Sequence, residues 1–294
     1  GSELAVWING EHVANWKVPA RGEVELQYTP NWVQSPNSRP LSISLPITLD
    51  NPPLKGERVR NYFDNLLPDS EAIRQRIQTR YKTASKDAFA LLCAVGRECV
   101  GAVQLSPPGA IPTGFDRVKG VPLTDEEVER TLMRTPASSL PARSEAEDLR
   151  ISIAAAQERA ALFWRRGRWH RPAGPTPTTH IFKLPLGLVG GVQADMTGSV
   201  ENEWLCAQIL RSYGIPIAKC EIGQFGSQKA LIVERFDRQL HSSGKYWLSL
   251  VQEDFCQAFA IPHSLKYESD GGPGVLEISE FLRNSTDRDA DLNV

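Results

Sequence analysis

The sequence predicts an α+β protein, on three observations. Strand-like alternation marks the first fifty residues, apolar spacing lengthens to a helical period near residue 70, and strand and helix patterns interleave after residue 151. The 294 residues, 41% of them hydrophobic, allow two domains or one large one with ample side chain for a core.

The elements follow in order. Leu4 to Ile8 is an apolar run ahead of Asn9-Gly10, the dipeptide that supplies the positive φ of a tight hairpin. Gly1-Ser2 reads as a cloning remnant and is left out of the strand. Glu23 to Tyr28 alternates apolar Val24, Leu26 and Tyr28 with polar neighbours, and Leu41 to Leu49 alternates in the same way, so both are expected to be strands. Beyond an N-cap at Asp69 or Ser70, Ile73, Ile77 and Tyr81 recur at helical spacing, and Ser85 to Ala94 reads as a second helix.

The Pro- and Gly-dotted stretch after Ser106 is a linker by composition, which places a boundary within 106–122. Thr124-x-x-Glu127 is a capping-box pattern for a helix to about Met133, and 136–144 is a second joint. An Ala-rich turn is expected at 151–163, and a hairpin around Gly167. Then come a strand from His180 to Leu186 with Lys183 in its middle, a helix from Val200 to Tyr213 stopped by Gly214, strands over 218–225 and 229–236 joined at Gly226, and a helix starting near Gln252. Strand, helix, strand, strand, connector, helix is the order of a kinase-type amino-terminal lobe.

Composition excludes several classes. With 33 Lys and Arg against 35 Asp and Glu, no global charge favours nucleic acid or anionic lipid. No run of 18 apolar residues and no signal-like amino terminus is present, and the five cysteines are scattered without a C-x-x-C pair, so a cytoplasmic protein with reduced thiols is expected. The histidines lack metal-ligand spacing, and no Gly-x-Ser-x-Gly elbow occurs.

Lys183 stands out because an ammonium inside an apolar strand needs an anion unless it lies on the solvated face. Glu201 and Glu203, about twenty residues on, are both candidates to pair with it, as the strand lysine and helix glutamate do in kinases. The small residues after Ser152 would let backbone N–H groups approach phosphate, although the run has no glycine. Val233 to Asp237 closes an apolar strand where a kinase hinge meets adenine, or else is a strand with an exposed charged end. Ser269 to Gly274 is read first as a connecting turn and second as a phosphate loop.

Phe63 to Asp69, Gly96 to Val103, Ile151 to Ala154 with Ala156-Gln157-Glu158, Thr176 to Pro185, Ser199 to Glu203, Val233 to Arg238, Gln252 to Asp254 and Lys266 to Gly274 together resemble the signatures of the HipA family, in their order. These are serine/threonine-kinase toxins of bacterial toxin–antitoxin pairs. The resemblance implies a HipA-like kinase fold: an N-terminal β-sheet and helix subdomain over 3–107, a linker and short helix over 108–150, and over 151–294 a kinase-type N-lobe with the start of a helical C-lobe. It implies ATP and Mg2+ as cofactors, with Lys183 on the phosphates, the main chain of Glu234 and Phe236 at the adenine, Val100 and Ile181 on its apolar faces, and Gln252 assisting. The loop 153–162 would be the phosphate loop, with Ile153, Ala154, Ala155, Ala156, Gln157, Glu158 and Arg159 at the nucleotide, and Ser152 at its root would be the autophosphorylation site.

The implied partners are a HipB-like DNA-binding antitoxin and a protein substrate such as glutamyl-tRNA synthetase. DNA is reached only through the antitoxin, and no membrane is involved. The sequence departs from the family pattern at Ala155, where glycine is usual, and at Arg159, where lysine is. The catalytic Asp and metal-binding Asn and Asp of the family are expected after residue 294, since Asp287, Asp289 and Asp291 stand in no such motif. No metal ligand is therefore assigned here, and two readings are carried: a HipA-like kinase, or a catalytically inactive module that binds antitoxin, target or nucleotide.

Overall fold

A computed structural model describes residues 1–135, 159–189 and 192–292. Strands β1 (Ser2–Ile8) and β2 (Glu11–Val18) form the opening hairpin, with Asn9 and Gly10 both at positive φ. Ser2 pairs with Val18, so the residue set aside as a remnant is the first rung of the ladder. Strand β3 (Glu25–Tyr28) joins β2, the short β4 (Leu54–Lys55) joins β3, and β5 (Val103–Ser106) takes the other side of β1. The result is an antiparallel sheet in the order β4-β3-β2-β1-β5.

Four helices accompany this sheet: α1 (Pro30–Gln34), α2 (Glu57–Asp64), α3 (Glu71–Tyr81) and α4 (Ala88–Val95). Ser70 and Asp87 cap α3 and α4 by accepting from the Ile73 and Ala90 amides, which satisfies donors the first turn leaves open. One apolar cluster joins Leu4, Val6, Trp16 and Leu26 of the sheet to Phe63, Ile73 and Leu92 of the helices. At its centre the Trp16 and Phe63 rings stack with centroids 3.9 Å apart.

Leu41 to Leu49 is not a strand. Leu41 and Leu45 are buried, but the Tyr28 hydroxyl donates to the Leu45 carbonyl and accepts from the Leu41 amide, and the Leu45 amide turns back to Ser42. Pro40 and Pro46 cannot donate to a ladder, and the tyrosine clamp supplies the local hydrogen bonds instead.

The second sheet is built from β6 (Gly120–Pro122), β7 (Arg159–Arg165), β8 (Arg168–Pro172), β9 (His180–Lys183), β12 (Cys220–Phe225) and β13 (Gln228–Glu234), in the order β12-β13-β9-β7-β8-β6. Residues 159–163 are thus strand rather than turn or phosphate loop, because 159–162 pair with β9 and Phe163 pairs with His170 of β8. The hairpin at Gly167 forms, with Trp164 opposite Trp169. Lys183 ends its strand instead of lying mid-strand. Helix α5 (Asp125–Arg134) begins with the Thr124–Glu127 capping box, and α6 (Ser199–Ser212) ends ahead of Gly214 at positive φ. Two short hairpins, β10 (Gly187–Val189) with β11 (Ala194–Met196) and β14 (Arg238–Leu240) with β15 (Trp247–Ser249), were not expected from the sequence.

Helices α7 (Phe255–Ala258), α8 (Val275–Leu282) and α9 (Arg288–Leu292) complete the described chain. The loop 269–274 is a connecting turn: a Cβ on Gly272 would stand 2.0 Å from the Leu265 carbonyl oxygen, so glycine there serves packing. Among the described residues no helix is long and apolar enough to cross a membrane.

Candidate functional site

Register divides the second sheet into two faces. Phe182 lies level with Ile232 and Ala160, and these enter an apolar cluster with Leu123, Val128 and Leu132 beside α5. One residue along, Lys183 lies level with Leu231 and Arg159, and Ile181 with Val233 and Ala161. Alternation therefore puts Ile181, Lys183 and Arg159 on the face opposite the Phe182 core.

Helix α6 decides the anion. Lys183 pairs with Glu203, while Glu201 pairs with Lys229 of β13. The Lys183 side chain is 18% exposed and its partner 47%, so the pair sits at a wall open to solvent on one side. The Lys229 hydrogen bond holds the Glu201 carboxyl below its ordinary range. Arg159 is the second cation on this face, with its pKa lowered by burial against the pull of Glu203. Among the described residues its Nε is buried without a hydrogen-bond partner. Ser152 and residues 153–158 lie outside the described residues.

A cleft of about 330 Å³ opens between the two sheets' units. It brings together Val100, from the turn before β5, Phe236, just past β13, and Gln252, ahead of α7. Asn65, Asp254 and Gln257 also line it. The Gln252 Oε1 is buried and, among the described residues, has no hydrogen-bond partner. A buried acceptor left open in a cleft is costly unless a ligand donor or water meets it. Burial raises the Asp254 carboxyl, although that carboxyl also accepts from the Gln257 amide at 2.7 Å. Glu234, Ile181 and Lys183 do not line this cleft, and the Glu234 amide is already committed to the Lys219 carbonyl at 2.8 Å.

Behind the cleft is a cluster the sequence did not disclose. Asp237 takes two hydrogen bonds from Arg235, at 2.9 and 2.8 Å, and one from the Gly101 amide at 2.8 Å. Glu98 Oε1 accepts from the Thr178 amide and hydroxyl and lies 3.2 Å from both Arg235 and Arg238. Arg238 also donates to the Gly101 and Thr178 carbonyls. Burial would raise the Asp237 carboxyl, but the arginines and the Gly101 amide hold it below its ordinary value. Burial alone would lower Arg235, and its acidic partners raise it.

A second set of polar ties runs alongside. The Ser42 hydroxyl donates to Glu253, the Gln257 amide group donates to the Tyr62 carbonyl at 3.1 Å, and Asn61 donates to the Ala260 carbonyl at 2.9 Å. Asp64 lies 2.7 Å from both Arg74 and His263. Among the described residues there is no cluster of three or more His, Cys, Asp or Glu that could hold a metal ion.

Comparison with known proteins agrees with this architecture. Residues 4–106 match the HipA N-terminal domain and residues 151–293 match the HipA-like C-terminal domain. A protein of Sinorhizobium fredii named "Putative kinase Y4mE" is 32% identical over 292 residues, and the serine/threonine-protein kinase toxin HipA of Shewanella oneidensis is 28% identical over 249. These matches cover 98% and 85% of this chain, and 66% and 53% of the relatives. A solved chain from the Shewanella oneidensis complex of HipA, HipB and operator DNA superposes with a TM-score of 0.69 at 26% identity, covering 94% of this chain and 60% of that one. The chain belongs to the HipA family, and its fold is the HipA-like α+β fold.

Proposed function

We propose that the chain binds ATP, and that the activity it serves is that of a HipA-type serine/threonine kinase toxin. The observation that carries this reading is the pairing of Lys183 with Glu203 on a sheet wall, together with a cleft that gathers Val100, Phe236 and Gln252. The cleft offers apolar surface and an open acceptor for a base bearing N–H donors, and Lys183, oriented by Glu203, offers positive charge for phosphates. Arg159 adds a cation level with Lys183. Ile181 shares the face of Lys183, the main chain of Glu234 would meet the adenine, and residues 153–158 would cradle the phosphates.

On this reading the whole protein phosphorylates a serine of a translation protein such as glutamyl-tRNA synthetase, in the cytoplasm. Phosphate on Ser152 would place a dianion at the root of the phosphate loop and so oppose ATP binding. A HipB-like antitoxin restrains the kinase, and DNA is met through that partner. The likeness to a HipA that is solved with HipB and operator DNA supports the antitoxin assignment. Mg2+ would travel with the nucleotide.

The test is thermal melting with and without MgATP. A saturating ligand at about a hundred times its Kd stabilises by about 2.7 kcal/mol, a shift of several degrees. We expect that shift in the wild type and its loss in Lys183→Ala. An equal shift in both would remove Lys183 from the site, and no shift in the wild type would overturn the nucleotide reading.

A further inference from the structure

We propose that Glu98, Arg235, Asp237 and Arg238 are positioning residues for the base end of the nucleotide cleft, an inference that rests on the ATP reading above. Their charges balance, two against two, and all four side chains are nearly withdrawn from water: 11% exposed for Glu98, 6% for Arg235, 5% for Asp237 and 1% for Arg238. A buried ion cluster is a poor device for stability alone, because apolar side chains of similar volume hold a joint as well or better. Its advantage is direction, since each hydrogen bond fixes both a distance and an angle.

The fixed points are the cleft's own walls. Gly101 is held at both polar atoms, its amide by Asp237 and its carbonyl by Arg238, and it immediately follows Val100. Phe236 lies between Arg235 and Asp237, which grip each other, while the Arg235 amide donates to Thr179 and the Asp237 carbonyl accepts from Leu250. Leu250 leads two residues later to Gln252. Gly101 meets that third wall directly: at φ 77° it has no room for a side chain, and a Cβ would stand 2.9 Å from Gln252 Cγ and 3.2 Å from the Gln252 amide nitrogen. Three separate segments thus reach the cleft from one cluster. The N-terminal unit thereby supplies a wall of the base pocket whose position depends on Glu98.

The experiment compares the affinity of the wild type and of Glu98→Gln for MgATP and for magnesium tripolyphosphate, which carries the phosphate chain without the base, by titration calorimetry. Glu98→Gln keeps the shape and removes the charge. We expect MgATP to bind roughly tenfold more weakly, about 1.4 kcal/mol. Tripolyphosphate should bind unchanged. Gly101→Ala, which leaves every charge in place and presses on Gln252, should give the same selective loss and decides the matter if Glu98→Gln does not fold. Unchanged MgATP affinity in a folded variant, or an equal loss for both ligands, would overturn the inference while leaving the ATP reading intact. A wild type that binds tripolyphosphate and not ATP would overturn both.

Discussion

Phe182 and Lys183 are adjacent in sequence and belong to different regions of the molecule. Phe182 is fully buried in a dry cluster with Ile232 and Trp169, and its face of the sheet is built for cohesion. Lys183 points to the other face, where charges outnumber what packing requires: Arg159, Lys183 and Lys229 against Glu201 and Glu203. One strand therefore separates stability from chemistry by its pleat alone, and damage to the two faces should be separable by experiment.

The largest effect is expected on the dry face. Phe182→Ala removes a ring from a closed cluster and should cost about 3–5 kcal/mol in urea unfolding. A loss below about 1 kcal/mol would show that this face is not the core. Next comes acid sensitivity. Asp64 and Asp237 are both held below their ordinary values by arginine partners that outweigh burial, with His263 helping at Asp64. A carboxyl depressed in the folded state contributes stability above its unfolded pKa of about 3.9, and loses it as pH falls through the lower folded value. Stability should therefore hold from neutral pH to about 4 and decline steadily below it, with a shallower decline in Asp64→Asn. An identical slope in that variant would remove Asp64 from the account.

Smaller effects on stability, and larger ones on binding, are expected on the charged face. Lys183→Met should melt close to the wild type yet lose the MgATP shift, because the Glu203 carboxylate left behind is half open to water. Lys229→Met should change least, retaining both melting point and MgATP shift. A Lys229 variant that lost ATP as completely as the Lys183 variant would mean that the Glu201 pair belongs to the site as much as the Glu203 pair does.

Local signals in the sequence translated well into structure where a few neighbouring residues decide the outcome. Asn9-Gly10, the caps at Ser70 and Thr124 and the stop at Gly214 each act within one turn of chain. The alternation at Leu41 to Leu49 misled because Tyr28, thirteen residues before Leu41, supplies the hydrogen bonds that a ladder would have provided. Glu201 and Glu203 were equivalent in sequence, and only the seating of α6 against β9 and β13 assigns a lysine to each. Val100, Phe236 and Gln252 were named from the resemblance, and their convergence on one cleft is a property of the folded chain. The cluster of Glu98 with Arg235 and Arg238 joins positions about 140 residues apart, a separation at which no local pattern speaks.

The most direct measurement of the central claim is amide hydrogen exchange with and without MgATP. Nucleotide held between the two units should slow exchange at 98–102, 180–184, 235–238 and 250–254, while the Trp16–Phe63 core, already closed, stays as it was. Unchanged exchange at those four segments, or a uniform change that includes the core, would contradict a nucleotide site at this joint.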